Sequence, residues 1–152
     1  MIRFYSLLAT FFYIGRLTTF PGTIASLASL ICYYFIFLNF NYQLECALVA
    51  LISLVGLFSS SEYAKFRNEH DPKDCVIDEV AGMGIAILFL PSSLLCYLTA
   101  FFLFRILDIL KPSFIHHVQF FNNGWGIMLD DILAGLISLL IVHGLLVKGI
   151  IY

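Results

Sequence analysis

Asp74-Cys75-Val76-Ile77-Asp78-Glu79-Val80-Ala81-Gly82 is the stretch on which the fold turns. Its acids stand at the head of an apolar run long enough to enter a membrane, with no obvious lysine partner beside the Asp78-Glu79 pair. An ionisable group at such a boundary is expensive, roughly 2.5 to 3.5 kcal/mol for an Asp at the centre of a spanning helix, so its default reading is functional. Two later stretches look built to meet it: Arg105-Ile106-Leu107-Asp108-Ile109-Leu110-Lys111-Pro112 and Gly126-Ile127-Met128-Leu129-Asp130-Asp131. Together they predict a metal and phosphate site at a membrane surface.

The composition fits that setting. With 152 residues the chain is one domain's worth, and residues 1–152 read as a single membrane-embedded unit. Its 61% hydrophobic and 12% charged content, with mean hydropathy +0.97, lies outside the soluble range and predicts an integral membrane protein. A net charge of -2, carried by few and localised groups, gives no reason to expect a nucleic-acid partner. Cys32, Cys46, Cys75 and Cys96 show no CxxC spacing, so neither a disulfide framework nor a zinc site is expected. Arg3 and the apolar residues after it resemble the start of a signal peptide, but no small-x-small site follows and no cleavage is expected.

Along the chain, the pattern predicts an all-α, polytopic membrane bundle. Residues 4–14 form a helix of about 16 Å, too short to span and assigned to the interface. Residues 15–23 are a polar connector, and Thr23 or a neighbour starts the next helix. Spans follow at about 24–38 and 44–59, then a soluble, charged segment over 60–76. Pro91-Ser92-Ser93 breaks the next apolar run into a hairpin, with helices over about 77–90 and 94–110. Residues 111–130 are a connector, and the fifth span covers about 132–147. In this scheme Arg3, Arg16, Lys65, Arg67, Lys73, Arg105 and Lys111 fall on one side and only Lys148 on the other, which makes the first side cytoplasmic. All acids except Glu45 lie there too.

Each motif has a bland reading beside the chemical one. Asp78 and Glu79 at a helix start gain about 0.3 to 1 kcal/mol from the macrodipole, and successive helical residues diverge by about 100°, so at least one is expected to be a ligand. Gly82 shares the Asp78 face and permits close approach by another backbone or a lipid headgroup. Arg105, Asp108 and Lys111 are spaced by three, which fits a salt-bridge ladder but also an anionic phosphate held by a planar fork and a compact charge. Capping could explain one of Asp130 and Asp131 but not both, and carboxylates are the ligands Mg²⁺ prefers. Pro21-Gly22-Thr23-Ile24-Ala25-Ser26 puts free amides and two hydroxyls at a helix N-terminus, a ready anion site. His70, His116, His117 and His143 have no metal-ligand spacing with the acids and read as loop or packing residues.

At this point the chain resembles the phosphatidylglycerophosphatase A family. The resemblance rests on Pro21-Gly22-Thr23-x-x-Ser26, on Asp71…Val76-Ile77-Asp78-Glu79-x-x-Gly82, on Phe104 to Pro112, and on Gly124-x-Gly126-Ile127-Met128-Leu129-Asp130-Asp131-x-x-Ala134-Gly135. These occur in the family's order over about residues 8–140. Ala25 stands where Gly is common, and Phe114 where a second Pro often follows Lys-Pro, departures that touch backbone geometry rather than chemistry. The resemblance implies a Mg²⁺-dependent, multi-pass enzyme of the bacterial inner membrane with its site on the cytoplasmic side. It would hydrolyse phosphatidylglycerophosphate to phosphatidylglycerol and inorganic phosphate in phospholipid biosynthesis.

Other phosphatase chemistries lack their residues. No cysteine is followed by Arg six positions on, no DxDx[TV] string occurs, and no Arg-Pro pair exists. Attack by metal-activated water remains, with Asp78, Glu79, Asp130 and a further contribution from Asp131 around the metal. Gly22, Thr23, Ser26, Arg105 and Lys111 would bind phosphate, and Asp108 and Asp131 are the catalytic candidates for orienting water or holding the cations. Two rival classes are a small ion transporter, which would carry charge in mid-span, and a CDP-alcohol phosphotransferase, whose DGxxAR…GxxxD pattern is absent.

Overall fold

The computed structural model describes residues 2–112 and 124–151. Among them lie six α-helices and one 3-10 turn, and no strand: α1 Ile2–Ala9, the turn Ile14–Arg16, α2 Pro21–Phe37, α3 Tyr42–Arg67, α4 Ile77–Ile87, α5 Leu94–Leu110 and α6 Gly124–Val147. The expected Phe114, His116, His117 and Asn122-Asn123 features fall outside the described residues.

The fold is organised around α4. Every residue of this helix except Glu79 is buried, as expected for a helix apolar on all sides, and α2, α3, α5 and α6 all pack against it. Small residues set the spacing. The Gly82 carbonyl of α4 meets Gly135 of α6, and a Cβ on Gly82 would sit 2.7 Å from the Asp131 carbonyl and from the Phe104 ring. The close backbone approach read from Gly82 is therefore present, and its partner is α6. On the other side, Tyr33 of α2 donates to the Val80 carbonyl at 3.1 Å and covers Gly84.

Several boundaries differ from the sequence reading. The helix expected over residues 4–14 stops at Ala9, because Phe11, Phe12 and Tyr13 take left-handed φ values of 44°, 55° and 68° and turn the chain. α2 starts at Pro21 in the N1 position, which suits proline's fixed φ, so Thr23 lies in its first turn rather than before it. The segment over 60–76 is not all loop. α3 continues to Arg67, supported by the Lys65–Glu62 pair at 2.6 Å and ended by left-handed Asn68. α6 begins two turns earlier than the expected 132, since Gly124 has no side chain to meet the Leu57 carbonyl. Asp130 and Asp131 thus lie inside the helix, and the capping explanation for either is overturned. The break at Pro91–Ser93 is present, and α5 covers the expected 94–110.

Two helices, Tyr42–Arg67 and Gly124–Val147, are long and apolar enough to cross a membrane. α2 and α5 have 17 residues, about 26 Å at 1.5 Å per residue, and α4 with 11 reaches only about 16 Å.

The start of α4 is tied down from outside. Arg16 donates to Tyr63 at 2.8 Å and to Asp74 at 3.1 Å, Tyr63 donates to Asp74 at 2.5 Å, and the Val76 amide donates to the Ala9 carbonyl at 2.8 Å. A loop that would otherwise lose its entropy gradually is thereby fixed, and with it the two acids that follow.

Candidate functional site: an acid cluster facing an arginine

Three segments distant in sequence converge at one end of the bundle. From α4 come Asp78 and Glu79, from α6 Asp131, and one carboxylate oxygen of each lies within 4.8 Å of the others. Although successive helical residues diverge, both α4 acids reach this point because they sit in its first turn. Asp78 and Asp131 are 9% and 2% exposed, and Asp78 Oδ1, Glu79 Oε2 and Asp131 Oδ2 are buried without a hydrogen-bond partner. Buried carboxylates without donors are costly unless a cation or protons compensate them. These three acids therefore fit a divalent cation, whose preferred ligands are carboxylate oxygens.

Arg105 of α5 stands over the cluster. It donates to Asp108 on its own helix, to Thr23 Oγ1 at 3.2 Å and to Ser26 Oγ at 3.4 Å, and its Nη1 is 4.0 Å from Glu79 Oε1. Glycine is required at position 22, where the Glu79 carboxylate occupies the space a side chain would need and Arg105 Nη1 lies 3.2 Å away. Gly22, Thr23 and Ser26 are thus gathered with Arg105 at the N-terminus of α2, where unsatisfied amides favour anions.

The remaining predicted residues divide. Lys111, the left-handed C-cap of α5, donates to Asp130 Oδ2 at 2.5 Å. Burial alone would lower the Lys111 ammonium, but the bond to Asp130 and the surrounding acids hold it above the usual lysine range. Asp130, read from sequence as a metal ligand, is joined to this lysine, whereas Asp131, read chiefly as a catalytic candidate, is the α6 acid in the cluster. Adjacent helical positions point about 100° apart, so one aspartate pair serves two neighbours.

Asp71 belongs to this neighbourhood although it had been assigned no role. Desolvation raises its carboxyl, Lys111 pulls it back, and the charges of Asp130 and Asp108 also act on it. The available signal was its place at the head of the Asp71…Val76-Ile77-Asp78-Glu79 motif, and the structure buries the adjacent Pro72 completely. An open cavity of about 670 Å³ is lined by Arg16, Pro21, Arg67, Asp71, Lys73 and Asp74 among others.

A helical bundle that buries three carboxylates together and sets an arginine and a helix N-terminus against them has the makings of a site for a cation and an anion. Comparison with known proteins gives the family: the phosphatidylglycerophosphatase A model matches residues 7–146, and the chain belongs to that family. Relatives include phosphatidylglycerophosphatase A of Escherichia coli, 37% identical over 87% of this chain and 77% of its own length. That of Haemophilus influenzae is 34% identical over 91% and 86%. A Bacteroides thetaiotaomicron protein with the provisional name phosphatidylinositol-3-phosphatase is 35% identical over 80% of each chain. No solved structure matches.

Proposed function

We propose that this protein is a multi-pass membrane phosphatase that hydrolyses phosphatidylglycerophosphate to phosphatidylglycerol and inorganic phosphate, serving phospholipid synthesis at the bacterial inner membrane. Family membership supports the lipid, and the clustered acids Asp78, Glu79 and Asp131, each with one buried oxygen that has no hydrogen-bond partner, carry the chemistry. Asp78, Glu79 and Asp131 would hold Mg²⁺, which when bound would supply positive charge to the phosphate and lower the pKa of water, making the deprotonated nucleophile available near neutral pH. Arg105, fixed by Asp108, Thr23 and Ser26, is arranged to receive phosphate oxygens through its fork, and the amides of Gly22 and Thr23 add donors for charge that grows as the bond to the alcohol breaks. Lys111, paired with Asp130, sets an ammonium among the acids near Asp108, and Asp71 adds a carboxylate to the same neighbourhood. The helices α2 to α6 form the membrane-embedded bundle, with the short α4 enclosed by the other four, α1 lies along the membrane surface, and the excess of basic residues at the site's end of the bundle favours a cytoplasmic site.

Neither the transporter nor the CDP-alcohol phosphotransferase reading draws support from the family match. The test is phosphate release by purified protein from phosphatidylglycerophosphate, phosphatidylinositol 3-phosphate and phosphatidic acid, each with and without Mg²⁺. Preference for the first, dependent on the cation, is expected; equal rates on phosphatidic acid would sink the substrate assignment.

A further inference from the structure

α2 and α3 are consecutive and joined only by residues 38–41, yet they scarcely touch one another, and each packs on α4 instead. Neighbouring elements in sequence are usually neighbours in space. Here an apolar cleft of about 400 Å³ lies between them, walled by Ala28, Cys32 and Ile36 on one side and Leu48 and Ile52 on the other, with Val80 as its floor. Its two hydroxyls are already engaged: Ser29 donates to the Ser26 carbonyl at 2.9 Å and Tyr33 to the Val80 carbonyl at 3.1 Å. A polar guest would find nothing to bind. Phe11 and Phe12 also line the cleft, carried there by the left-handed turn after α1.

The cleft lies close to the acid cluster along α2 and α4. Val80 follows Glu79 directly, and Gly22, Ser26, Ser29 and Tyr33 form one stripe of α2 that runs from Glu79 and Arg105 to the cleft wall. From Gly22 beside the phosphate donors to Ser29 at the cleft wall is about two helical turns, roughly 10 Å, a distance that the aliphatic tail of a lipid with its phosphate at Arg105 can bridge. We propose, on the lipid-phosphatase reading above, that the cleft between α2 and α3 holds one acyl chain of the same lipid whose phosphate is handled at Asp78, Glu79, Asp131 and Arg105. Its volume is on the scale of one chain rather than of a helix. The chain would draw the headgroup out of the bilayer in a fixed register.

The test compares diacyl phosphatidylglycerophosphate in detergent micelles with its deacylated headgroup, using full-length protein. Ala28→Trp and Ile52→Trp fill the cleft from opposite walls. Each is expected to lower the ratio of kcat/KM for the diacyl lipid over the headgroup by about tenfold or more, through KM, as hydrophobic pockets discriminate by such factors. A ratio equal to wild type in either folded variant overturns the proposal. A second measurement needs neither a variant nor turnover. Cys32 is an exposed thiol in the cleft wall, and diacyl lipid, but not headgroup, should slow its modification by a maleimide. Equal labelling overturns the acyl site. Protection of Cys32 without phosphate release from either substrate would remove the phosphatase reading and keep the cleft.

Discussion

Lys111 Nζ lies 2.5 Å from Asp130 Oδ2, so the lysine that closes α5 is bound to α6, one residue away from the aspartate that joins the acids of α4. This pair separates two roles that adjacency in sequence had merged. Asp130→Asn keeps the shape but weakens a partly buried charged bond, and should cost about 1 to 3 kcal/mol of stability. The Lys111 ammonium is held above its usual value, so its contribution is complete at every pH below the unfolded value of about 10.4 and is lost only as pH rises through the folded one. Denaturation in detergent should therefore show the same deficit at pH 6 and pH 9. A deficit that disappears by pH 9 would mean that some other group carries it.

Arg105 distributes its two terminal nitrogens among Asp108, Ser26 and Thr23, beside Glu79. A lysine keeps the charge but not the fork. Arg105→Lys should lower kcat by roughly 10²-fold, comparable with removal of one oxyanion donor, while the Mg²⁺ dependence changes little. If the residue only braces α5 through Asp108, steady-state phosphate release should be nearly normal.

Much of this arrangement was legible in the chain, and the failures have physical causes. The helical class, the break at Pro91–Ser93 and the meeting of the Asp78, Arg105 and Asp131 segments follow from hydropathy and from charge placed at the ends of apolar runs. The extension of α3 to Arg67 is hidden in the sequence because its last two turns are rich in polar residues, although Tyr63 and Ala64 on that stretch are buried. The early start of α6 was hidden by Gly124 and Gly126, which read as breakers, whereas Gly124 packs closely against Leu57 and Ser60 of α3 and Gly126 is buried within the helix. Which of Asp130 and Asp131 faces α4 depends on helix phase, and one residue of error in a boundary reverses it.

The glycine contacts give a graded prediction. A methyl at Gly22 would fall on the Glu79 carboxylate, a flexible side chain at the site, whereas one at Gly82 would meet the Asp131 carbonyl and the Phe104 ring at 2.7 Å. Gly22→Ala should fold but lose most activity by displacing Glu79 and Arg105. Gly82→Ala should instead lose about 1 to 3 kcal/mol or more of stability through overpacking. Thermal unfolding and phosphate release measured on both would contradict this if the two variants behaved alike.

The cation assignment can be read without turnover. A ligand that binds only the folded state stabilises it by RT ln(1 + [L]/Kd), about 2.7 kcal/mol at a concentration one hundred times Kd. Wild-type protein in detergent should thus rise in Tm on titration with Mg²⁺, and more so because Asp78 Oδ1, Glu79 Oε2 and Asp131 Oδ2 lack other partners. Asp131→Asn removes one of the three clustered carboxylates and should abolish most of that rise, and Asp78→Asn should do the same. The substitution also relieves repulsion among the acids, so the Mg²⁺-free Tm of either variant should be at or above that of wild type. Asp130→Asn, whose carboxylate is tied to Lys111, should start from a lower Tm and still respond to Mg²⁺. If Asp130→Asn loses the response while Asp131→Asn retains it, the cation is held by Asp130, and the cluster of Asp78, Glu79 and Asp131 is held together by protons instead.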